Sequence, residues 1–512
     1  RVPDTAADFA KTLFGPGCTH GDLALCEGNA SLRGFYRLVA AGVPFPHDPE
    51  GAFVGYKTDH DPYERATSAG PRTSKFMSEG LQAMVERYGV PILDKHEVME
   101  FVRDGDGRIV AMLTLDKNHA AEDHHGLTLF RAENFVLAAG GPGEVYQTTV
   151  YPRGQVGIHG PALRAGLRAN NITESQYGLA STKFRWNVSG TYMQVVPRIY
   201  STAADGISDE REFLTEYFPT MERMATCTFL KGYQWPFDAQ RIDDFQSSLV
   251  DMAVHREVVD RGRRVFMDFL HNPRGTEAMN AFALDALEEE ARVYLERTGA
   301  TQELPIDRLA HMNQPAIDIY ADNDIDLHHE PLEIAVCAQH MNGGFVVDKW
   351  WQSNVPHTFV IGEMAGTHGV KRPGGSALNA GQTGAIRAAT YISRVYGADQ
   401  PADELPDAAE WSAAQALQKL RAMLAAADAS VPAPADVLAQ MRARMTQDGA
   451  HIRSCSGIAA AVDDAVAQYR GLQTTGLRAD EPRELAQALQ AESMCLTRSE
   501  EHTSELQSLL II

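Results

Sequence analysis

Two short apolar runs end abruptly in glycine, and a glycine pair further on leads directly into a helix. This restricts the chain to a layered α/β fold. The first run is Phe135–Ala139, followed by Gly140 and Gly141. The second is TFVIGE, Thr358–Glu363, with an acidic residue at its carboxyl end. The third element is THGVKRPGGSALNAGQTGAIRAATYI, Thr367–Ile392, whose helix is predicted to begin near Ser376. A short apolar run closed by glycine reads as a buried strand that turns at its end. Around the first run the periodicity predicts a helix over 74–88 and a short strand, Val90–Leu93. An Asp/Gly-turned hairpin follows (VMEFV-RDGDG-RIVAMLTL), and a helix is predicted over Gly160–Arg168.

A chain of 512 residues is too long for one ordinary core. Residues 1–175 read as the first part of a nucleotide-binding α/β domain and 331–400 as its second part. Between them, 176–330 changes character, being rich in Arg, Asp, Glu and aromatics, with a helical stretch over Glu277–Arg297. It is expected to be an inserted α+β capping domain. Residues 405–497 are Ala-rich and helical, with Pro432–Asp436 as a linker and helix start. At the far end, Arg498–Ser508 read RSEEHTSELQS, which one frame of a sequencing adapter encodes. Residues 498–512 are therefore expected to be a library artefact, and the gene a fragment cut at both ends.

The net charge of −22 argues against a nucleic-acid partner. No apolar run is long enough to span a membrane. The six cysteines form no C-x-x-C pair, which disfavours a zinc or iron–sulfur site. His255-Arg256-Glu257 and His328-His329-Glu330 lack a further ligand cluster, so no metal is expected. Trp350 and Trp351 read as packing residues.

Four motifs carry chemistry. Ala139, Gly140 and Gly141 allow close backbone approach to a ligand, although a plain tight turn would look the same. Gly362 and Glu363 place a carboxylate where it suits sugar-like hydroxyls, or simply an exposed loop acid. At Arg372–Leu378 a glycine pair meets a helix start, whose free N–H groups and dipole favour negative charge. There Arg372 can grip a carboxylate through two parallel hydrogen bonds. In QHMNGG, His340 beside Gly343 and Gly344 can orient a substrate or relay protons, or serve as a structural histidine.

In this order the motifs resemble the succinate dehydrogenase/fumarate reductase flavoprotein family, which includes L-aspartate oxidase and 3-ketosteroid dehydrogenases. The family's A-T-G-G turn is matched by Ala138–Gly141, followed by Tyr146, Thr148 and Thr149. Its T-G-D-G helix start is similar to Gly157–Gly166, with His159 in place of the aspartate. Its H-G-A-N-R-L-G-G-N-S-L motif is similar to His368–Leu378. The resemblance implies a Rossmann-like FAD-binding domain, split in sequence, with a capping domain and a C-terminal helical domain. It also implies FAD as cofactor and hydride transfer between flavin and a small carboxylate- or carbonyl-bearing substrate. Gly374, Gly375, Ser376 and Leu378 would then face the flavin, with Ala139, Gly140, Gly141, Gly344, Gly362 and Glu363 also binding the cofactor and Arg372 on the substrate carboxylate. Arg198, in VPRIYSTAADGISDEREF, is the candidate for the cap's proton-donor position, with Arg211 second. The expected setting is cytoplasmic or peripheral to the inner face of the membrane, with an electron-transfer partner.

The chain departs from the family pattern at four points. No G-x-G-x-x-G strand–turn–helix opens it, and the segment bearing a flavin-linked histidine is absent. Gln339 aligns with the catalytic histidine position, and no R-G-E-G-G is readable. These departures raise an alternative, a flavin-binding electron-carrier subunit without turnover of its own. They also predict that this chain binds FAD poorly.

Overall fold

In the computed structural model residues 4–58, 60–276, 279–397, 406–426, 428 and 430–509 are described, with side chains as far as Ser499. α1 (Ala6–Phe14) packs on α2 (Gly21–Ala40). α2 turns Leu23, Ala24, Glu27, Gly34 and Leu38 inward, a helical stripe of small and apolar residues broken by one acid. α3 (Thr73–Arg87) matches the helix predicted for 74–88. Val90–Leu93 forms no strand; Val90, Ile92 and Leu93 are exposed. The apolar run is correct for a strand, but a strand forms only where a neighbour satisfies its backbone.

The hairpin forms as β1 (His96–Arg103) and β2 (Ile109–Asp116), and β3 (Leu127–Arg131) adds a third antiparallel strand. β4 (Phe135–Leu137) is the strand before the glycine turn. It is followed by α4 (His159–Arg164) and β5 (Ala169–Asn170). α4 begins at His159, close to the expected Gly160, and ends short of Arg168 because Gly166 adopts a positive φ of 80°.

The inserted region contains β6 (Ser175–Ser181), β7 (Trp186–Asn187), α5 (Thr191–Gln194), β8 (Arg198–Thr202), α6 (Met221–Leu230), α7 (Leu249–His255), β9 (Arg264–Asp268), α8 (Glu289–Thr298) and α9 (Pro305–Ala321). The long helix expected over Glu277–Arg297 starts only at Glu289; residues 277 and 278 lie outside the described residues. Glu288 is extended at the helix entry, and Glu289 and Glu290 then meet the positive end of the helix dipole. β10 (Leu332–Met341) completes an antiparallel sheet of order β7-β6-β10-β9-β8. The sheet's central strand thus lies past the expected boundary at 331 and belongs with the insertion.

β11 (Gly344–Phe345) pairs with β5, and β12 (Thr358–Val360) pairs in parallel with β4, Val136 opposite Phe359. Among the described residues β4 has no strand on its other edge. α10 (Ser376–Tyr391) lies against the end of β12. The site of a side chain on its Gly381 is 3.6 Å from Gly362 Cα, and Gly384 sits on the buried Trp351 indole. Small residues therefore let this helix approach the strand end closely. α11 (Asp407–Ala425), α12 (Pro434–Asp448), α13 (Cys455–Thr475) and α14 (Leu485–Leu509) complete the helical region. Pro434 opens α12, as the linker reading predicts. The stretch read above as a library artefact continues α14 as far as Leu509, with Arg498 and Ser499 buried.

A side chain at Gly343 would place its Cβ 1.8 Å from the Asn171 carbonyl oxygen, and at Gly344 2.2 Å from that of Met364. Backbone cannot yield as a side chain can. Gly343→Ala is expected to cost at least ~3 kcal/mol, readable as a lowered urea midpoint. An unchanged midpoint would show that the β10–β11 turn is looser than these distances require.

Candidate active site

The glycine turn after β4 is filled by side chains. Gln155 Nε2 donates to the carbonyls of Ala139 (2.6 Å) and Gly141 (3.2 Å). A Cβ on Gly141 would meet Glu363 Oε1 at 2.7 Å. The Glu363 carboxylate therefore lies over the turn. It accepts hydrogen bonds from the Tyr151 hydroxyl and from the Met341 N–H, the latter at 2.8 Å. Burial first, and then the Glu363 charge, hold the Tyr151 hydroxyl well above its ordinary pKa. Ala139, Gly140, Gly141 and Glu363 are thus brought together, but through Tyr151 and Gln155, which the sequence motifs did not single out.

At the other glycine pair, Gly375 takes the left-handed conformation (φ 82°) and α10 starts at Ser376. Ser376 Oγ donates to the Pro373 carbonyl at 2.7 Å. No N-cap side chain is bonded at the start of α10; the Ser376 N–H donates to the Pro373 carbonyl at 3.1 Å, which leaves the N–H groups of Ala377 and Leu378 for an outside partner. The positions a side chain would occupy at Gly362 and Gly375 are open. Leu378, in the first turn, is exposed. The Gly374 carbonyl accepts a hydrogen bond from Thr58 Oγ1 at 3.3 Å.

The segment leading into this helix is held at several points. The Val370 N–H donates to the Gly17 carbonyl at 3.2 Å, and the buried Asn342 donates to the Val370 carbonyl at 2.8 Å. Lys371 Nζ lies 2.8 Å from Asp238 Oδ2 of the insertion. Arg372, next in sequence, is half-buried and has the Pro373 carbonyl 3.3 Å from Nη1. Its charge acts on three buried groups, His340, His368 and Glu27.

The His340 and His368 rings meet edge to face at 4.8 Å. Both ring nitrogens of His368, and Nε2 of His340, are buried without a hydrogen-bond partner. His340 Nδ1 is 3.1 Å from Asn342 Oδ1, and its Nε2 is 3.9 Å from Glu363 Oε1. Burial first, then the neighbouring positive charge, hold both imidazoles well below their ordinary pKa, so both are neutral. His159 is a further buried imidazole without partners. It stacks on Phe345 at 5.3 Å and is pushed down to about 4, chiefly by burial.

Glu27 lies only 2% exposed on the inner face of α2, and burial pushes its carboxyl up to about 8, against the pull of Thr367 and Arg372. Its position four residues after the buried Leu23 was the available sequence signal. Because the folded pKa lies above the unfolded one, folding is favoured most at acidic pH, and this stability is lost as pH rises toward 8. Glu27→Gln is expected to raise the melting temperature at pH 9 much more than at pH 5. Equal shifts at the two pH values would contradict a buried acid that titrates.

Arg198 is not part of this gathering. It lies on β8, at the edge of the five-stranded sheet, 4% exposed. Glu212 Oε1 is 2.6 Å from its Nε, Glu210 also pairs with it, and Asp268 Oδ2 is 3.8 Å away. Arg211 is exposed and pairs with Asp209. Gln339, at the aligned catalytic position, donates to the Gly178 carbonyl at 3.0 Å. Among the described residues no cluster of three metal-ligating side chains occurs, and no helix is long and apolar enough to cross a membrane.

No family model matches the chain. It is 24% identical over 318 residues to one subunit of the fumarate reductase (CoM/CoB) of Methanothermobacter marburgensis, covering 62% of this chain and 48% of that protein. It is 23% identical over 380 residues to an L-aspartate oxidase of Streptomyces coelicolor, covering 73% and 56%. The chain thus spans about half the length of the curated relatives it matches. Among solved structures it superposes on a quinol-fumarate reductase with a TM-score of 0.72 at 16% identity, covering 99% of this chain and 82% of that one. The chain has the fold of the succinate dehydrogenase/fumarate reductase flavoproteins and is related to that family in sequence, as its motifs led one to expect.

Proposed function

We propose that this chain is the flavoprotein part of an FAD-dependent oxidoreductase acting on a small carboxylate- or carbonyl-bearing substrate. The observation that carries this reading is the meeting of three features. These are the uncapped start of α10, Arg372, and the buried, neutral His340–His368 pair with unsatisfied ring nitrogens. The residues fit the flavin end of FAD: space stands open at Gly362 and Gly375, and a helix start favours negative charge. FAD, when bound, supplies the hydride chemistry. Gly344, Gly362, Gly374, Gly375, Ser376 and Leu378 would hold its ring system. Glu363 would meet its hydroxyls only after leaving Tyr151, and Ala139, Gly140 and Gly141 would line its approach. Arg372 grips the substrate carboxylate, and His340, with His368 behind it, gives or accepts a proton. Arg198 serves as a charge clamp inside the cap.

The names of the relatives support a dicarboxylate or amino-acid substrate and an electron-transfer partner. Anaerobic addition of dicarboxylates and amino acids to the FAD-loaded protein tests turnover. Bleaching of the flavin band by one of them is expected. Absence of any flavin band in excess FAD would remove the proposal. A stable flavin band that no substrate bleaches would favour the electron-carrier reading, to which the structural engagement of Gln339 lends support.

A further inference from the structure

A cavity of about 300 Å³ lies where the insertion, the strand β10 and helix α12 meet, apart from the Arg372 cluster. None of its fifteen lining residues is Asp, Glu, Lys or Arg. Four are aromatic or imidazole rings: Tyr146, Tyr177, His255 and His451. Most of the polar groups on its wall are already engaged. The Tyr146 and Tyr177 hydroxyls are 2.8 Å apart, and Tyr177 reaches the Gly449 carbonyl at 3.3 Å. Thr148 Oγ1 donates to the Val336 carbonyl at 2.9 Å, and Thr446 Oγ1 accepts from the Gln147 N–H at 2.9 Å.

His451 is the exception. Both of its ring nitrogens are buried without a partner. Its ring is fixed by Tyr177 (5.3 Å), Phe237 (5.0 Å) and His255 (4.7 Å). Burial first, then His255 and nearby Arg453 and Lys231, push it down to about 3, so it stays neutral. A buried imidazole with one N–H and one bare nitrogen carries an unmet need of ~1–3 kcal/mol for each group. The volume sits at the small end of ligand pockets, enough for one substituted ring.

We propose that this cavity is a second ligand site, for an uncharged single-ring compound bearing a hydroxyl group, with His451 as its hydrogen-bonding anchor. With no charged residue on its wall, the cavity disfavours an anion or a cation, which would lose its hydration without a paired charge in contact. The ring walls match a planar guest. The site is independent of the flavin reading above.

The probe is p-cresol, with benzoate as the charged comparator of similar size, followed by calorimetry and saturation-transfer NMR. One p-cresol site is expected, with benzoate at least about 10-fold weaker. His451→Phe keeps the ring and removes both nitrogens, and is expected to weaken p-cresol by about 10-fold. Ala443→Phe, at the exposed rim, fills the mouth without touching the core and is expected to abolish binding. No p-cresol binding, equal benzoate binding, or binding undiminished in both variants would overturn the proposal.

Discussion

Replacing Arg372 with lysine or alanine is expected to lower kcat/KM for a carboxylate substrate about 1,000-fold while leaving the flavin content unchanged. The size of the effect follows from what the guanidinium does. In a partly buried site, removing one partner of a hydrogen-bonded charge pair costs ~2–5 kcal/mol, and ~4 kcal/mol is about a thousandfold in rate. Lysine keeps the charge but loses the planar fork, so it is expected to recover only a small part of the loss. Arg372 is held by its neighbours rather than by chance. Lys371 is tied to Asp238 in the insertion, and Val370 is tied to Asn342 and Gly17. Equal activity of the Arg372→Ala variant would mean that the substrate carboxylate is bound elsewhere.

The second large effect lies in the insertion. Lys231, at the end of α6, is 2.8 Å from Asp251 on α7, and both side chains are wholly buried. Lys231 also donates to the Gln234 carbonyl at 3.1 Å. Burial pushes the Asp251 carboxyl up, and the Lys231 charge pulls it back. Truncating either partner strands the other charge in an apolar surrounding, so Lys231→Met or Asp251→Ala is expected to destabilise by ~3–5 kcal/mol. The double variant Lys231→Met with Asp251→Leu is expected to fall much closer to the wild type, because no charge is left unpaired. Urea unfolding read by tryptophan emission compares the three variants, since Trp186 and Trp235 lie in this region. Additive losses in the double variant would contradict a coupled pair.

The parts of the fold and site that were legible in sequence are those written by local chemistry. The strands Phe135–Leu137 and Thr358–Val360 announce themselves by apolar runs closed by glycine. The helix at Ser376 does so by its glycine pair and small-residue stripe. Val90–Leu93 misled because an apolar run records a preference, whereas a strand needs a partner that this stretch does not meet. Glu27, Tyr151 and Gln155 were not singled out, and His368 was read only as the first residue of its motif, because what makes them matter is spatial. Glu27 reaches the Arg372 cluster from a helix more than 300 residues earlier in the chain. Tyr151 matters only because Glu363 folds back onto it. Arg198 was legible as a charge in the expected place, but its carboxylate partners Glu210 and Glu212 are brought to it by the turn after β8.

On the proposed function a flavin ring lies against the start of α10 beside Arg372. A crystal structure of the protein grown in millimolar FAD tests it most directly. Isoalloxazine density is predicted with its pyrimidine edge on the N–H groups of Ala377 and Leu378 and the Arg372 guanidinium alongside. Flavin density elsewhere, or a first turn of α10 facing only solvent in the presence of FAD, would contradict it.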